Sequence, residues 1–467
     1  MIFDFLIYCL GKKENMSRAI AGMNWQQLYS FASKQALLGL CFEGIERLGE
    51  EYPEELKRNP IGRELLMTWM GKAQQIRRQN MKVNAVASKL FSMLREDGMR
   101  CCILKGQGNA LMYPNPYSRT PGDIDVWIDA SRERIMEYAQ KKFELGDDIR
   151  LQHLETSLDG VPVELHFFPC SMNNPIYHAR LQKWFRRNAD LQCSHIVGLP
   201  DGAGDIAIPT MAFNVIYQLT HLYHHFFDEG IGMRQIIDYF LVVNDFSKNV
   251  FLDHDLSNHP VNFSNHPVPL SKEGSTFSPS PSSSGSGDVT APSRCSEPLR
   301  SKDGGPSKVS PDCAGWDRRG VSGDTGSVSC SSASGSSITS VSSASTTDSS
   351  ASTALVVVQR ELKYLGLWKF AGAVMFVLHE VLGLSEERMI APVDEKRGRL
   401  LLTEILDGGN FGRHFTKYAG FTHQSMGKKY FLKIWRNMHF VRYYPAEALC
   451  EPLFRTWHFF WRLKYKK

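Results

Sequence analysis

A chain of 467 residues, 42% hydrophobic and 22% charged, has room for two or three domains and the composition of a globular protein. Its formal net charge of +5 is small for this length and excludes charge by itself as an argument for nucleic-acid binding. No apolar stretch reaches membrane-spanning length free of charges; the most apolar, Leu367 to Leu384, carries Lys369, His379 and Glu380 and reads as core.

The first residues, Met1 to Leu10, are apolar but carry Asp4 and lack a basic leader, so they are expected to begin a buried helix rather than a signal peptide. Residues 1–99 read as helical. Leu37, Cys41, Ile45 and Leu48 recur at helical spacing, as do Val83, Val86, Leu90 and Leu94, with Gly98 placed as a helix stop. An α/β core is expected over 100–205. Cys101 to Leu104 is a short apolar run that suits a buried strand, and Gln107 to Met112 can start a helix. Ser131 is a good N-cap for a helix from Arg132 to Phe143. Strand signals follow at Ile149 to Leu158 and Val161 to Phe168, joined by a hairpin turn at Asp159-Gly160. A helical domain begins at 206–247 and resumes at 354–467. Between its parts, residues 248–353 read as a disordered insertion. Within it, 14 of the 30 residues from Val321 to Ser350 are serine, too few large apolar groups to offset the ordering entropy. The ten cysteines show no Cys-x-x-Cys pairing and suit a reducing cytoplasm.

One stretch reads as chemistry: Cys101-Cys102-Ile103-Leu104-Lys105-Gly106-Gln107-Gly108 followed by Arg119-Thr120-Pro121-Gly122-Asp123-Ile124-Asp125-Val126. Side chains alternate across a strand, so Asp123 and Asp125 share a face while Ile124 and Val126 point into a core. Two carboxylates this close repel, and a divalent cation between them removes the repulsion. In Val161 to Phe167, Val163, Leu165 and Phe167 fall on one face and Glu164 and His166 on the other. A neighbouring strand of this kind brings Glu164 to the Asp pair as a third oxygen ligand. A helix N-terminus after Lys105 offers free N–H groups to an anion, and Gly106 and Gly108 let backbone approach it; the bland alternative is a solvated lysine in a plain turn.

Gly-Asp-Ile-Asp followed by an apolar pair resembles the metal-binding signature of the polymerase-β-like nucleotidyltransferase superfamily. With Leu104-Lys105-Gly106, Tyr113-Pro114, Arg119 and Glu164-Leu165-His166 it resembles a bacterial family catalogued only as uncharacterised nucleotidyltransferases. The similarity runs on through His221 to Asp238 and into Tyr443-Tyr444-Pro445-Ala446-Glu447. It implies an α+β fold: a small mixed β-sheet nucleotidyltransferase core flanked by N-terminal and C-terminal helical regions. It also implies that Asp123, Asp125 and Glu164 are catalytic and bind Mg²⁺ (or Mn²⁺), and that Gly106 lies where superfamily members hold the nucleoside triphosphate. Many members carry Gly-Ser or Gly-Gly at this turn; here Lys105-Gly106 stands instead, and the Lys105 ammonium is the candidate replacement for the missing hydroxyl.

His221, His224, His225 and Asp228 fall on one helical stretch. His221 and His225 share a face, but the His-Glu-x-x-His pattern of zinc proteases is absent, so lining a groove is the main reading. The resemblance turns this helix and Arg234 to Asp238 toward the site, with His225 and Arg234 as contacts to phosphate or acceptor; the alternative is an Arg234–Asp238 helix pair at i,i+4 spacing. Arg119 suits a triphosphate or the loop itself. Lys428 to Lys467 holds 10 Lys or Arg, with Phe454, Trp457 and Trp461 at helical spacing. A core-plus-solvated-charge reading stands beside one in which this tail lies on a membrane or nucleic acid.

The expectation is therefore a metal-dependent enzyme that moves an NMP group from an NTP, ATP by preference, to a hydroxyl of an unidentified small-molecule or protein acceptor, releasing pyrophosphate. No transmembrane segment is expected, and nucleic acid is disfavoured as a partner. The alternatives are a catalytically silent nucleotide-binding or antitoxin-like module and an adaptor working through the basic tail.

Overall fold

Gly98, at φ +71°, ends the 34-residue helix Arg63–Glu96 and turns the chain into the first strand. The computed structural model describes residues 1–12, 15–145, 150–251, 348–415 and 426–465. All of them belong to one compact unit, Met1–His259 with Ser345–Lys467. The disordered insertion expected over 248–353 lies outside the described residues apart from its ends, where the helices Met233–Phe251 and Asp348–Tyr364 terminate.

The strands are β1 (Cys101–Leu104), β2 (Ile124–Ile128), β3 (His153–Leu158) and β4 (Val161–His166), in the order β1-β2-β4-β3. β1–β2 and β3–β4 are antiparallel and β2–β4 is parallel, so the sheet is mixed as expected. A further antiparallel pair, β5 (Ile196–Gly198) and β6 (Asp205–Ala207), follows the helix Pro175–Ser194. The β3–β4 turn is Asp159-Gly160, both residues at positive φ, as a two-residue hairpin of type I′ requires. Among the described residues the remaining regular structure is helical, which bears out a small mixed sheet flanked by helical regions.

Alternation decides what each face of the sheet meets. Cys101, Ile103, Ile124, Val126, Val163 and Leu165 join a core with Val83, Val86, Leu90 and Leu94 of the long helix and Ile135 of the helix Arg132–Lys142. Cys102, Leu104 and Trp127 face the other way, into a core with Trp184, Phe185 and Phe213. Trp127 stacks on Phe213 with centroids 6.1 Å apart. The adjacent cysteines of β1 thus point to opposite sides, and both are free thiols.

The segment before β2 is held from three directions. Buried Asn80 of the long helix donates to the carbonyls of Tyr117 (3.0 Å) and Arg119 (2.7 Å). Thr120 Oγ1 donates to Ala36 O at 2.8 Å. Gly39, in the helix Leu38–Glu51, lies so near the Ser118 carbonyl that any Cβ there would meet it at 2.3 Å.

The last helices close over the open part of the sheet. Glu447, in the short helix Pro445–Ala448, is buried and accepts from the backbone N–H groups of Asn173 (2.5 Å) and Asn174 (3.2 Å). Burial pushes its carboxyl up to about 7 from the ordinary 4.5. Between those values the folded chain keeps a proton that the unfolded chain has lost, so stability falls as pH rises through this window and levels off above it. Glu447→Gln is expected to flatten that part of the profile, which thermal unfolding at about pH 5 and about pH 8 reads directly.

The basic tail is divided. Lys433 and Arg455 reach Asp228 Oδ1 at 2.6 and 3.2 Å, and Arg436 donates to Phe226 O at 2.9 Å. The expected aromatic face is only partly core: Phe454 is half-buried, whereas Trp457 is 51% exposed.

Candidate active site

The parallel pairing of β2 with β4 makes Asp125 and Glu164 in-register neighbours, and Asp123 stands two residues earlier on the same side. The β3–β4 ladder sets Glu155 opposite Glu164 and His153 opposite His166. One sheet face therefore gathers acids and imidazoles at one end, beyond the apolar Cys102–Trp127 patch.

His166, fully buried, is the centre of this group. Its Nε2 lies 3.0 Å from Asp125 Oδ1 and 3.1 Å from Glu164 Oε2, while Nδ1 faces Gln152 Nε2 at 3.3 Å. Burial acts to lower its basicity, but the hydrogen bonds to Asp125 and Glu164 overcome that and raise it to about 9. Asp125 is buried too. Burial acts to raise its carboxyl, yet Lys105 and His166 hold it well below the usual range. Asp123, at the solvent edge, is pushed the other way, to about 6, chiefly by repulsion from Asp125. Two carboxyls two residues apart thus behave oppositely because only Asp125 is hydrogen-bonded to an ammonium partner as well as to His166.

That partner is Lys105. Its Nζ sits 3.0 Å from Asp125 Oδ1 and 3.1 Å from His221 Nε2. Burial together with the Lys105 charge holds the His221 imidazole well below its ordinary value, so the ring is neutral and its Nε2 accepts from the ammonium. Lys105 has φ +51° and ψ −130°, a conformation that favours glycine. The strained turn throws its side chain across the acids. Gly106 follows at φ +40°, with Asp123 O 3.9 Å from where its Cβ would stand. The helix beyond is a five-residue turn, Gly106–Ala110. Gly108 is turned to the protein interior, where an added Cβ would meet Ile208 Cγ2 at 3.0 Å.

A cavity of about 600 Å³ opens over these groups. Asp123, Asp125, Glu164 and Lys105 form its floor; His221, His224 and His225 of the helix Met211–Asp228 form one wall; and Phe411, Lys433 and Arg436, which pack against that helix, extend the lining. A smaller cavity of about 50 Å³ adjoins it, lined by Gly106, Arg119, Asp123 and Arg234 among others. His225 packs edge-on against Phe411 at 5.4 Å.

Asp238 pairs with Arg119 rather than with Arg234 at i,i+4 spacing. Asp238 is engaged by Arg119, whose Nε and a terminal nitrogen each donate at 2.8 Å, with Tyr113 OH adding a third bond at 2.7 Å. Arg234 donates to Thr120 O at 2.9 Å, and its Nε is buried with no hydrogen-bond partner. Sequence reasoning did not single out His153. Its signal was present: counting back from the Asp159-Gly160 turn pairs residue 153 with 166.

The sequence model of a family described as uncharacterised nucleotidyltransferase matches residues 21–257, just over half of the chain. The chain belongs to that nucleotidyltransferase family, which makes it a transferase in general kind. Among solved structures it is similar to an antigenic nucleotidyltransferase-like protein from Paracoccidioides brasiliensis, at 18% identity over 34% of this chain and 75% of that one, with a TM-score of 0.24. No curated protein matches it. No described helix is long and apolar enough to cross a membrane.

Proposed function

We propose that this chain transfers an NMP group from an NTP, with ATP as donor, to a hydroxyl of a small-molecule or protein acceptor, and releases pyrophosphate. The observation that carries the reading is the in-register Asp125–Glu164 pair, with Asp123 beside it, on the floor of a cavity large enough for a nucleotide. The donor set fits a hard dication. Three carboxylates converge, and Asp125 already has a cationic group at 3.0 Å. Asp123 and Asp125 would hold Mg²⁺ (or Mn²⁺), with Glu164 completing the site. Such an ion would supply the positive charge that offsets the charge developing on the departing pyrophosphate.

The remaining work falls to the chain itself. The Lys105 ammonium, on the cavity lining beside Asp125, holds a phosphate oxygen of the donor. The Gly106 turn borders the triphosphate. Arg234, through its unpartnered Nε, and His225 contact phosphate or acceptor from the helical wall. Arg119 acts indirectly by fixing the loop that carries Asp123, and Gly108 serves packing. The acceptor hydroxyl oxygen attacks the α-phosphorus, the bond to the β-phosphate oxygen breaks, and the hydroxyl proton passes to a carboxylate, Glu164 in this assignment. Catalysis rests on positioning and charge neutralisation.

Lys105→Ala is expected to weaken NTP binding in the presence of Mg²⁺ by on the order of tenfold, read by calorimetry. Binding unchanged in that variant removes Lys105 from the donor site. The position of Lys105 also favours a second reading, in which its ammonium fills the cation site and the chain binds nucleotide without turning it over. Purified protein incubated with each labelled NTP, Mg²⁺ or Mn²⁺ and a cell extract separates the two. Label transfer with pyrophosphate release supports the enzyme, and binding without release supports the silent module.

A further inference from the structure

We propose that His153, Glu164 and His166 hold a transition-metal dication of the Zn²⁺ or Co²⁺ class, at the edge of the Asp123–Asp125 site with which they share Glu164.

The hairpin builds this site. His153 and His166 are cross-strand partners in the antiparallel ladder, and Glu164 is two residues from His166, so alternation puts all three on one face. One ligand atom from each lies within 4.8 Å of the others. His166 Nε2 and Glu164 Oε2 are 3.1 Å apart, and His153 Nδ1 is 3.3 Å from the same oxygen. A tetrahedral ion with bonds of roughly 2.1 Å spaces its ligand atoms by roughly 3.4 Å, and both His–Glu164 spacings are already near that value.

His153 supplies an independent sign. Its side chain is only 10% exposed and faces the cavity, yet neither ring nitrogen makes a hydrogen bond. A buried imidazole that makes no hydrogen bond is costly, and its neutral nitrogen is free to bind a metal ion. Two imidazole nitrogens and one carboxylate oxygen match borderline cations rather than Mg²⁺, whose preference is for oxygen alone. The set of two His and one Glu leaves a fourth position that opens into the cavity, the arrangement of a site that takes water or a substrate oxygen. Gln152, beside His166 Nδ1, is placed to orient that ring.

This inference deepens the proposed function by naming the ion next to Glu164, but it is tested without nucleotide, so its failure and the failure of NMP transfer are read separately. The full chain is stripped with chelator, loaded with Zn²⁺ or Co²⁺ in millimolar Mg²⁺, and desalted; metal per chain is counted by elemental analysis and the visible Co²⁺ spectrum recorded. The expected result is one retained ion per chain with a nitrogen-ligand Co²⁺ spectrum. His153→Ala, and His153→Gln as a variant closer in size, should each weaken retention by roughly tenfold or more. Asp123→Asn, which leaves all three ligands, should keep it. The fold of each variant is checked by circular dichroism. No ion retained by the natural chain, or retention unchanged in a folded His153 variant, overturns the proposal.

Discussion

Asp125→Asn is expected to lower NMP transfer by on the order of 10²-fold or more with the fold intact. Asparagine keeps the shape of the side chain and an acceptor oxygen for Lys105 and His166, 3.0 Å away in each case. It removes the charge that would draw a dication to the cavity floor. Asp123→Asn is expected to act similarly, with less effect on stability because Asp123 lies at the solvent edge. Label transfer from NTP in a cell extract measures the loss, and far-UV circular dichroism checks the fold. Transfer at the natural rate in both variants would remove these carboxylates from the chemistry and with them the proposed reaction.

The second large effect is on stability. Arg119→Met is expected to cost about 3–5 kcal/mol in urea unfolding, the range for breaking a buried ion pair from one side. Arg119 is 4% exposed and Asp238 5%, so the stranded carboxylate cannot recover its hydration. Burial acts to raise the Asp238 carboxyl, and Arg119 reverses that; without the guanidinium the acid tends to take up a proton instead. The double variant Arg119→Met with Asp238→Leu is expected to regain part of the loss, because neither member of the pair is then left as a lone buried charge, although Arg234 loses the attraction of Asp238. Equal destabilisation in the double variant would show that the pair acts through something other than its charges.

The acidic site was unevenly legible in the sequence. Alternation was enough to put Asp123 with Asp125 and Glu164 with His166, because a period of two is local. That Glu164 lies beside Asp125 required the parallel β2–β4 pairing, which spans an intervening helix and strand and leaves no local mark. His153 escaped notice because the start of β3 was unclear from its composition, even though the turn at Asp159-Gly160 determines its partner. Arg119 and Asp238 meet from 119 positions apart, and only the folded chain shows that the arginine is occupied by a carboxylate. The strands and the flanking helices followed from hydrophobic spacing, whereas the mixed sheet was implied by the family resemblance alone. The positive φ of Lys105 did not, because the position suits glycine and nothing in the residue type announces it.

The parallel pairing also bears on how the site comes into being during synthesis. A nascent chain released as far as residue 128 has β1 and β2 but lacks the strand that brings the third acid, and the hairpin that delivers it is completed only at His166. The cavity wall from the helix Met211–Asp228 and the closing contacts of Lys433 and Arg455 arrive later still. Non-local contacts of this kind form slowly. Arrested ribosome–nascent-chain complexes of increasing length should therefore acquire cation affinity only after the hairpin emerges, and nucleotide affinity only when the C-terminal helices have left the exit tunnel.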